Sequence, residues 1–416
     1  MFADDLHDDV EFATPLSEDP NLDADDDEEA EHRYRRVDNV LGPCLAPGRA
    51  RRRTIRAQLH VVSAEEPTSV MEAQREEHCE HGMYTRGEGK KHLIVGVYVD
   101  DLIITGGDVD TLEEFKLEMK RTFRMSDLGA LSYYLGMEVH QSATGISLEQ
   151  NAYAVKILEK AGMGDCNPSA TPMEPRLKLM KEGTTEAVDS TNYRSIIGSL
   201  RYLVNSRPDL AYAVGYLSRF MEAPREEHLA AVKRVLRYIA GTLNWGVFFP
   251  AGGESVERPK LLGYTDSDLA GDVNDRKSTS GLIFFLAGGP IAWQSAKQKV
   301  VALSSCEAEY IAAAAGACQG VWLARLLSEL IGGEPVPPMI KVDNKSTISL
   351  IKNPVHHERS KHIDVKFHYI RECAEKGLID VDFIRTEEQL GDICTKALGR
   401  TRFQELRSKI GLKVIE

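Results

Sequence analysis

The chain has 416 residues, of which 42% are apolar and 28% charged, so it has ample material for a buried core and for two to four domains. The net charge of −13 arises in residues 1–32, which contain no Lys or Arg; the rest is nearly neutral, which does not exclude a nucleic-acid partner. Seven scattered cysteines without zinc-like spacing predict free thiols. A signal peptide and a membrane span are not expected, because no basic–apolar leader and no apolar run of about 18 residues occur.

Residues 1–60 are predicted to be disordered. An acidic block is followed by prolines and by an arginine-rich run, with little apolar surface to bury. The run from Arg49 to Arg56 fits a nuclear signal or a nucleic-acid patch, although a solvated linker explains it more simply.

The adjacent acids Asp100 and Asp101 lie between the apolar stretches 93–99 and 102–107. Two β-rich runs separated by turn-forming residues predict a hairpin with the acids at its tip. Neighbouring carboxylates repel each other, so the pair makes sense where a divalent cation neutralises it. From these residues alone, a solvent-exposed Asp-Asp turn is an equally good explanation.

The following segment alternates hairpin and helix patterns. In chain order we predict a helix, a hairpin and four helical segments: residues 111–119, 135–149, 153–161, 193–204, 210–220 and 226–241. Six basic side chains on the later helices suit contacts with backbone phosphates: Arg194, Arg201, Arg219, Lys233, Arg234 and Arg237. A solvated helix face explains these residues equally well.

Beyond residue 255 the predicted elements are three strands, a long alanine-rich helix, a strand, two helices, a strand and a last helix that begins near Gly391. Their segments are 261–268, 282–286, 291–295, 306–331, 340–344, 346–351, 365–376 and 379–384. This order of elements resembles that of the ribonuclease H fold, and it predicts a mixed α/β domain. Four acids accompany these elements: Asp266, Glu309, Asp343 and Asp392.

The hairpin carries a family resemblance. Tyr98-Val99-Asp100-Asp101 followed by Leu-Ile-Ile-Thr-Gly resembles the palm signature of reverse transcriptases, in the copia-type branch of long-terminal-repeat retrotransposons. Residues 65–73 and 80–86 resemble the start of that polymerase domain and the segment before its hairpin. Only Gln74–Cys79 separates them, where the family has its fingers and upstream palm. No Asp occurs between Asn39 and Val99 to act as the third polymerase aspartate, so an internal deletion or a gene-model error is expected.

The C-terminal motifs resemble the copia-type ribonuclease H domain, at residues 265–271, 304–310, 342–346 and 390–396. That resemblance implies that the four acids are catalytic, that they hold two Mg²⁺ ions, or Mn²⁺ as the alternative, and that the substrate is an RNA–DNA hybrid. Hard cations prefer oxygen ligands, and two neighbouring metal ions can activate a water molecule beside a phosphate group. Arg359 and Lys361 are candidates for contact with the hybrid, with surface solubility as the alternative.

Three of these assignments have competing explanations. Asp268 lies two residues after Asp266 and is the less favoured of the two acids as a ligand. Glu307 fits a capping box with Ser304, which favours Glu309 as the ligand. Asp392 lies near a predicted helix start, where capping alone would explain an acid.

The predicted architecture is α/β and α+β multidomain: a truncated reverse-transcriptase palm and thumb, then a ribonuclease H-like mixed five-stranded sheet with flanking helices. The segments are 1–60 disordered, 61–175 palm remnant, 176–254 helical thumb or connection, and 255–416 ribonuclease H-like. The predicted function is Mg²⁺-dependent cleavage of RNA in hybrids, with polymerase activity lost. Two alternatives stay open: a non-catalytic nucleic-acid-binding remnant, and a non-functional product of a decayed element or faulty gene model. The resemblance implies a cytoplasmic virus-like particle, and leaves access to the nucleus open.

Overall fold

The computed structural model describes residues 60–62, 82–99, 101–251, 259–352 and 365–415. Residues 1–59 of the segment 1–60 that was predicted to be disordered lie outside the described residues, and its last residue, His60, belongs to a strand. The gap at Gln74–Cys79 and the candidate residues Asp100, Arg359 and Lys361 also lie outside the described residues.

The first sheet contains the predicted hairpin. Four antiparallel strands lie in the order β1-β2-β3-β4, followed in the chain by helix α1: β1 His60–Val62, β2 Met83–Arg86, β3 Leu93–Tyr98, β4 Asp101–Gly106 and α1 Val109–Thr122. Alternation along β3 buries Leu93 and Val95 against Phe115 of α1, as expected for a strand with one covered face.

The tip of this hairpin differs from the prediction. Tyr98 pairs with Asp101, so only two residues connect the strands and Asp101 already belongs to β4. Val99 has a φ of 50°, which is the left-handed conformation that a two-residue hairpin loop requires and that a β-branched residue rarely adopts.

A second sheet draws strands from distant parts of the chain. Its antiparallel order is β14-β8-β7-β6-β5, and the predicted hairpin is β6–β7. Helix α2 follows the hairpin. The bounds are β5 Tyr133–Tyr134, β6 Met137–Ser142, β7 Gly145–Glu149, α2 Asn151–Lys160, β8 Trp245–Pro250 and β14 Leu412–Val414.

Three helices form the predicted helical segment: α3 Ser190–Leu203, α4 Ala211–Leu217 and α5 Glu226–Ala240. Short 3₁₀ turns at Val204–Ser206, Pro208–Leu210 and Ser218–Phe220 flank α4. In α5 the residues at helical spacing, Val232, Val235, Leu236 and Ile239, are almost completely buried. Burial of each such side chain contributes about 1.5–3 kcal/mol.

The mixed five-stranded sheet has the order β11-β10-β9-β12-β13, in which β9, β10 and β11 are antiparallel and β12 runs parallel to both β9 and β13. Its elements are β9 Leu261–Ser267, β10 Thr279–Leu286, β11 Gly289–Lys297, α6 Ser305–Ile331, β12 Met339–Val342, α7 Lys345–Lys352, α8 Tyr369–Glu375 and β13 Asp380–Phe383. A 3₁₀ turn, Val365–His368, precedes α8. These bounds confirm the predicted mixed five-stranded sheet and the predicted order of its elements along the chain.

The predicted last helix begins later than expected. Leu390–Cys394 is a 3₁₀ segment, and the α-helix, α9, runs from Arg400 to Lys409. The 3₁₀ segment packs tightly against β9: a Cβ added at Gly391 would lie 3.0 Å from the Cβ of Asp266. The backbone N–H groups of Thr395 and Lys396 both donate to the carbonyl of Asp392, which ends the turn there.

One hydrophobic core crosses the predicted boundary at residue 255. Leu236 and Ile239 of the helical segment belong to the same buried cluster as Phe285, Ile393 and Phe403 of the C-terminal part. Among the described helices, α6 is long and apolar enough to cross a membrane, but most of its apolar window is buried inside the protein. The helix therefore has the environment of a core helix.

Candidate active site

Three carboxylates converge at one end of the mixed sheet. Asp266 is the second-to-last residue of β9, and Asp343 directly follows the neighbouring parallel strand β12. Glu309 lies in the second turn of α6. Each contributes an oxygen that lies within 4.8 Å of the others. Because parallel strands end at the same sheet edge, β9 and β12 bring their C-terminal acids together.

Close contact between α6 and β9 positions Glu309. A Cβ added at Gly316 of α6 would lie 2.4 Å from Cγ2 of Thr265, so the helix can approach the strand only without a side chain at that position. Oε1 of Glu309 accepts a hydrogen bond from the backbone N–H of Ser267 at 3.2 Å. Its Oε2 atom is buried and has no hydrogen-bond partner in the described part of the chain.

Burial and mutual repulsion shift the proton affinity of this group. Burial and the charges of Asp266 and Asp343 raise the pKa of Glu309 far above its usual range. Burial and Asp266 also raise the pKa of Asp343, which accepts a hydrogen bond from Oγ1 of Thr386 at 3.1 Å. Two buried carboxylates and a partly buried third, this close together, are stabilised by a proton or by a cation.

The fourth predicted acid lies beside this group. Asp392 is on the 3₁₀ segment, and its Oδ1 atom lies 2.6 Å from Nζ of Lys396, which is also 3.3 Å from Oδ2 of Asp266. Arg402 approaches the other oxygen of Asp392 at 3.4 Å. Burial and Asp266 raise the pKa of Asp392. Burial lowers the pKa of Lys396, but Asp266 and Asp392 more than offset this and raise it, so the lysine stays charged.

The structure distinguishes the cluster acids Asp266 and Glu309 from their neighbours Asp268 and Glu307. The side chain of Asp268 accepts from the backbone N–H of Thr279 and lies outside the carboxylate group. Ser304 caps α6 by accepting from Glu307 N at 3.1 Å, and Oε2 of Glu307 accepts from Leu303 N at 2.8 Å. Glu307 therefore has a structural role and Glu309 is the acid in the cluster.

Three supporting residues were not predicted. Thr395 Oγ1 donates to Oδ2 of Asp266, and the fully buried Gln389 donates to the carbonyl of Thr265 at 2.9 Å while it accepts from Gly391 N at 3.1 Å. Gln389, and not Asp392, thus caps the 3₁₀ segment. Lys396 is the third; its i,i+4 spacing from Asp392 was the sequence signal that could have found it.

The polymerase-like hairpin presents a different environment. Tyr98 and Val99 are 48% and 58% exposed, and Asp101 is exposed as well. Within the described ranges, no group of three metal-ligating side chains includes Asp101.

The six predicted phosphate contacts divide into two groups. Arg219 is held in an ion pair with buried Asp272 at 3.1 Å, and Arg234 pairs with Glu174 at 2.9 Å, so both have structural partners. Arg194 and Arg201 are exposed on α3, although Nε of Arg194 donates to the carbonyl of Met221. Lys233 and Arg237 are also exposed.

Comparison of the amino-acid sequence with known proteins identifies the family of this chain. The family model described as reverse transcriptase (RNA-dependent DNA polymerase) matches residues 68–175. The retrovirus-related Pol polyprotein from transposon RE1 of Arabidopsis thaliana is 42% identical over 330 residues, covering 79% of this chain and 22% of that protein. The putative transposon Ty5-1 protein of Saccharomyces cerevisiae is 34% identical over 237 residues, covering 56% of this chain and 76% of that protein. The chain belongs to the copia-type retrotransposon Pol family.

This Pol chain spans about a fifth of the length of the RE1 polyprotein. Among solved structures, it is similar to the N-terminal RNase H domain of a Mycobacterium tuberculosis protein fused to maltose-binding protein. That match has 12% identity, covers 36% of this chain and 98% of the other, and has a TM-score of 0.24. Because its TM-score is below 0.5, this match carries no argument about the fold of the Pol chain. The mixed five-stranded sheet is defined by its own strand order and register.

Proposed function

We propose that residues 255–416 of this Pol chain form a Mg²⁺-dependent ribonuclease H that cleaves the RNA strand of RNA–DNA hybrids. The observation that supports the proposal is the convergence of Asp266, Glu309 and Asp343, with oxygens within 4.8 Å, at the edge of the mixed sheet.

The donor set suits hard divalent cations. All three side chains offer oxygen, which Mg²⁺ and Mn²⁺ prefer. The buried Oε2 of Glu309 has no hydrogen-bond donor among the residues that the structure describes. Asp266, Glu309 and Asp343 would hold the ions, with Asp392 alongside. When bound, two such metal ions supply a hydroxide nucleophile and stabilise negative charge on the leaving oxygen.

The surrounding side chains have positioning roles in this proposal. Thr395 orients Asp266 through a hydrogen bond, and Thr386 does the same for Asp343. Lys396 holds Asp392 against the carboxylate group and offsets part of its negative charge. Fixed geometry of this kind lowers the cost of organising a hydrolytic site.

The substrate class follows from the family and from surface charge. Exposed Arg194 and Arg201 on α3 are proposed to contact the hybrid backbone, together with Arg359 and Lys361, which lie outside the described residues. Recognition through phosphates, groove shape and 2′-hydroxyls would make cleavage independent of sequence.

Polymerisation is proposed to be lost. The sequence between Asn39 and Val99 offers no aspartate to complete a site with Asp100 and Asp101, and the family's fingers are missing around Gln74–Cys79. Location in a cytoplasmic virus-like particle, with access to the nucleus left open, is also part of the proposal.

The decisive experiment uses the purified full chain and a labelled RNA–DNA hybrid, with Mg²⁺, Mn²⁺, Ca²⁺ or EDTA. We expect cleavage with Mg²⁺ or Mn²⁺ and its loss in Asp266→Asn and Asp343→Asn. Asp380→Asn, an exposed acid on β13, is the matched control and should retain full cleavage. A folded wild-type chain that binds the hybrid without cutting it would favour the non-catalytic remnant instead. Failure of the chain to fold at all would favour the product of a decayed element.

A further inference from the structure

A second group of metal-ligating side chains lies on the β6–β7 hairpin, outside the ribonuclease H-like site. Glu138 pairs directly across the hairpin with Glu149, and His140 lies two residues along β6, on the same face as Glu138. One ligand atom from each of Glu138, His140 and Glu149 lies within 4.8 Å of the other two.

Glu149 is the buried member of this group. Only 5% of the residue is exposed, and its Oε1 atom lies 2.9 Å from Nε2 of His140. Its Oε2 atom is buried and has no hydrogen-bond partner among the residues that the structure describes. Two carboxylates directly opposite each other on antiparallel strands repel, so this arrangement calls for a positive charge between them.

Glu138 is held in place from the other side. Its Oε1 atom accepts a hydrogen bond of 2.9 Å from the backbone N–H of Ala152, in the first turn of α2. In metal sites, a ligand carboxylate is usually also hydrogen-bonded to another protein group, and that bond fixes the orientation of the ligand. His140 is about half exposed, at 49% of its side chain, which leaves a path from solvent to the group.

We propose that Glu138, His140 and Glu149 bind a divalent transition-metal ion of the zinc class, which ties β6, β7 and the start of α2 together. Imidazole favours zinc, cobalt and nickel over magnesium and calcium, in contrast to the oxygen-only group around Asp266. Three protein ligands and one open position form a known zinc arrangement. The site is independent of the proposed nuclease activity.

The test uses the full chain carrying Asp266→Asn and Asp343→Asn, so that the oxygen site cannot hold the added metal. Co²⁺ is titrated while its visible d–d absorption is recorded, and Zn²⁺ is titrated by calorimetry. We expect about one equivalent to bind, with a d–d band of imidazole–carboxylate ligation, and an excess of Mg²⁺ to leave the band unchanged. Zn²⁺ should also raise the thermal unfolding temperature.

Variants distinguish ligation from a simple ion pair. His140→Ala, at an exposed position, should abolish the Co²⁺ band, and Glu149→Gln and Glu138→Gln should each weaken binding by about tenfold or more. Glu159→Gln, an exposed acid on α2, is the matched control and should bind as before. No binding by the folded parent, or equal binding by folded His140→Ala, would overturn the proposal and leave only a His140–Glu149 ion pair. Should one variant fail to fold by circular dichroism, the remaining two decide the outcome.

Discussion

Nζ of Lys396 lies 2.6 Å from Oδ1 of Asp392, and the same ammonium group reaches Asp266 at 3.3 Å. A single protein cation therefore bridges the fourth acid and the carboxylate group. This arrangement couples the stability of the C-terminal part to whatever positive charge the site contains.

Replacement of Lys396 by Met should lower the unfolding temperature in EDTA, because Asp266 and Asp392 lose their shared counter-ion. Added Mg²⁺ should reduce the difference from wild type, since a divalent ion would neutralise the same acids. Thermal unfolding with and without Mg²⁺ measures both effects. Lys409→Met removes an exposed i,i+4 pair with Glu405 and is the control, with a much smaller expected change in unfolding temperature than Lys396→Met. An equal loss with and without Mg²⁺ would contradict the bridging role.

Stability of the metal-free protein should fall as the pH rises above the usual range of a glutamate. Burial and Asp266 raise the pKa of Glu309 in the folded state, so the native protein holds a proton that the unfolded chain releases above about pH 4.5. The contribution of Glu309 to the free energy of unfolding is therefore fully present below that pH. It decreases above it, by at most about 1.4 kcal/mol per pH unit for one group.

Urea unfolding in EDTA between pH 4.5 and 9 measures this slope. Glu309→Gln should flatten it, because the amide cannot release a proton, while the variant should not cleave the hybrid. Glu405→Gln, at an exposed position on α9, serves as the comparison. The same slope in wild type and Glu309→Gln would exclude Glu309 as its source.

The close approach of α6 to β9 predicts opposite effects for two glycine substitutions. Gly316→Ala places a Cβ 2.4 Å from Cγ2 of Thr265, which should destabilise the protein by about 1–3 kcal/mol and lower cleavage by displacing Glu309. Gly198→Ala in α3 meets no atom within 4 Å and should stabilise by about 0.5–1 kcal/mol. Chemical denaturation of the two variants gives the comparison. A stabilised Gly316→Ala protein would show that α6 has room at that position.

A buried ion pair should make the helical segment sensitive to one substitution. Arg207 binds Asp209 through Nε and one terminal nitrogen, both at 2.9 Å, and both side chains are almost completely buried. Tyr238 donates to Asp209 at 2.6 Å and accepts from Arg407 of α9 at 3.0 Å, which connects α5 to the C-terminal helix.

Asp209→Ala should therefore cost about 3–5 kcal/mol, because it leaves the Arg207 charge buried without a partner. Glu174→Ala removes the more exposed pair with Arg234 and should cost less than about 1 kcal/mol. Equilibrium unfolding in urea measures both variants. Comparable losses in the two proteins would mean that the buried network contributes little beyond a surface contact.

Local patterns carried much of the prediction. The hairpin at Tyr98–Asp101, the β6–β7 hairpin and the order along the chain of the elements in the mixed sheet follow from apolar runs and turn residues within short windows. The choice of Glu309 over Glu307 followed from a capping pattern that spans four residues. In the structure Ser304 caps the helix, and Glu307 accepts a hydrogen bond from the backbone N–H of Leu303 just before it. Patterns of this length act within one element, so the sequence displays them directly.

The remaining features depend on register and on contacts between distant residues. Three features form only when the mixed sheet is assembled. They are the position of Lys396 between Asp266 and Asp392, the 3₁₀ segment at Gly391 where a helix was predicted, and the core shared across residue 255. The pairing of Glu138 with Glu149 needs the exact cross-strand register, since a shift of one residue would move one acid to the other face. The sequence by itself thus determined the family, the order of elements and the identity of the candidate acids. Only the tertiary structure decided which charges meet, because burial and distance set their interaction.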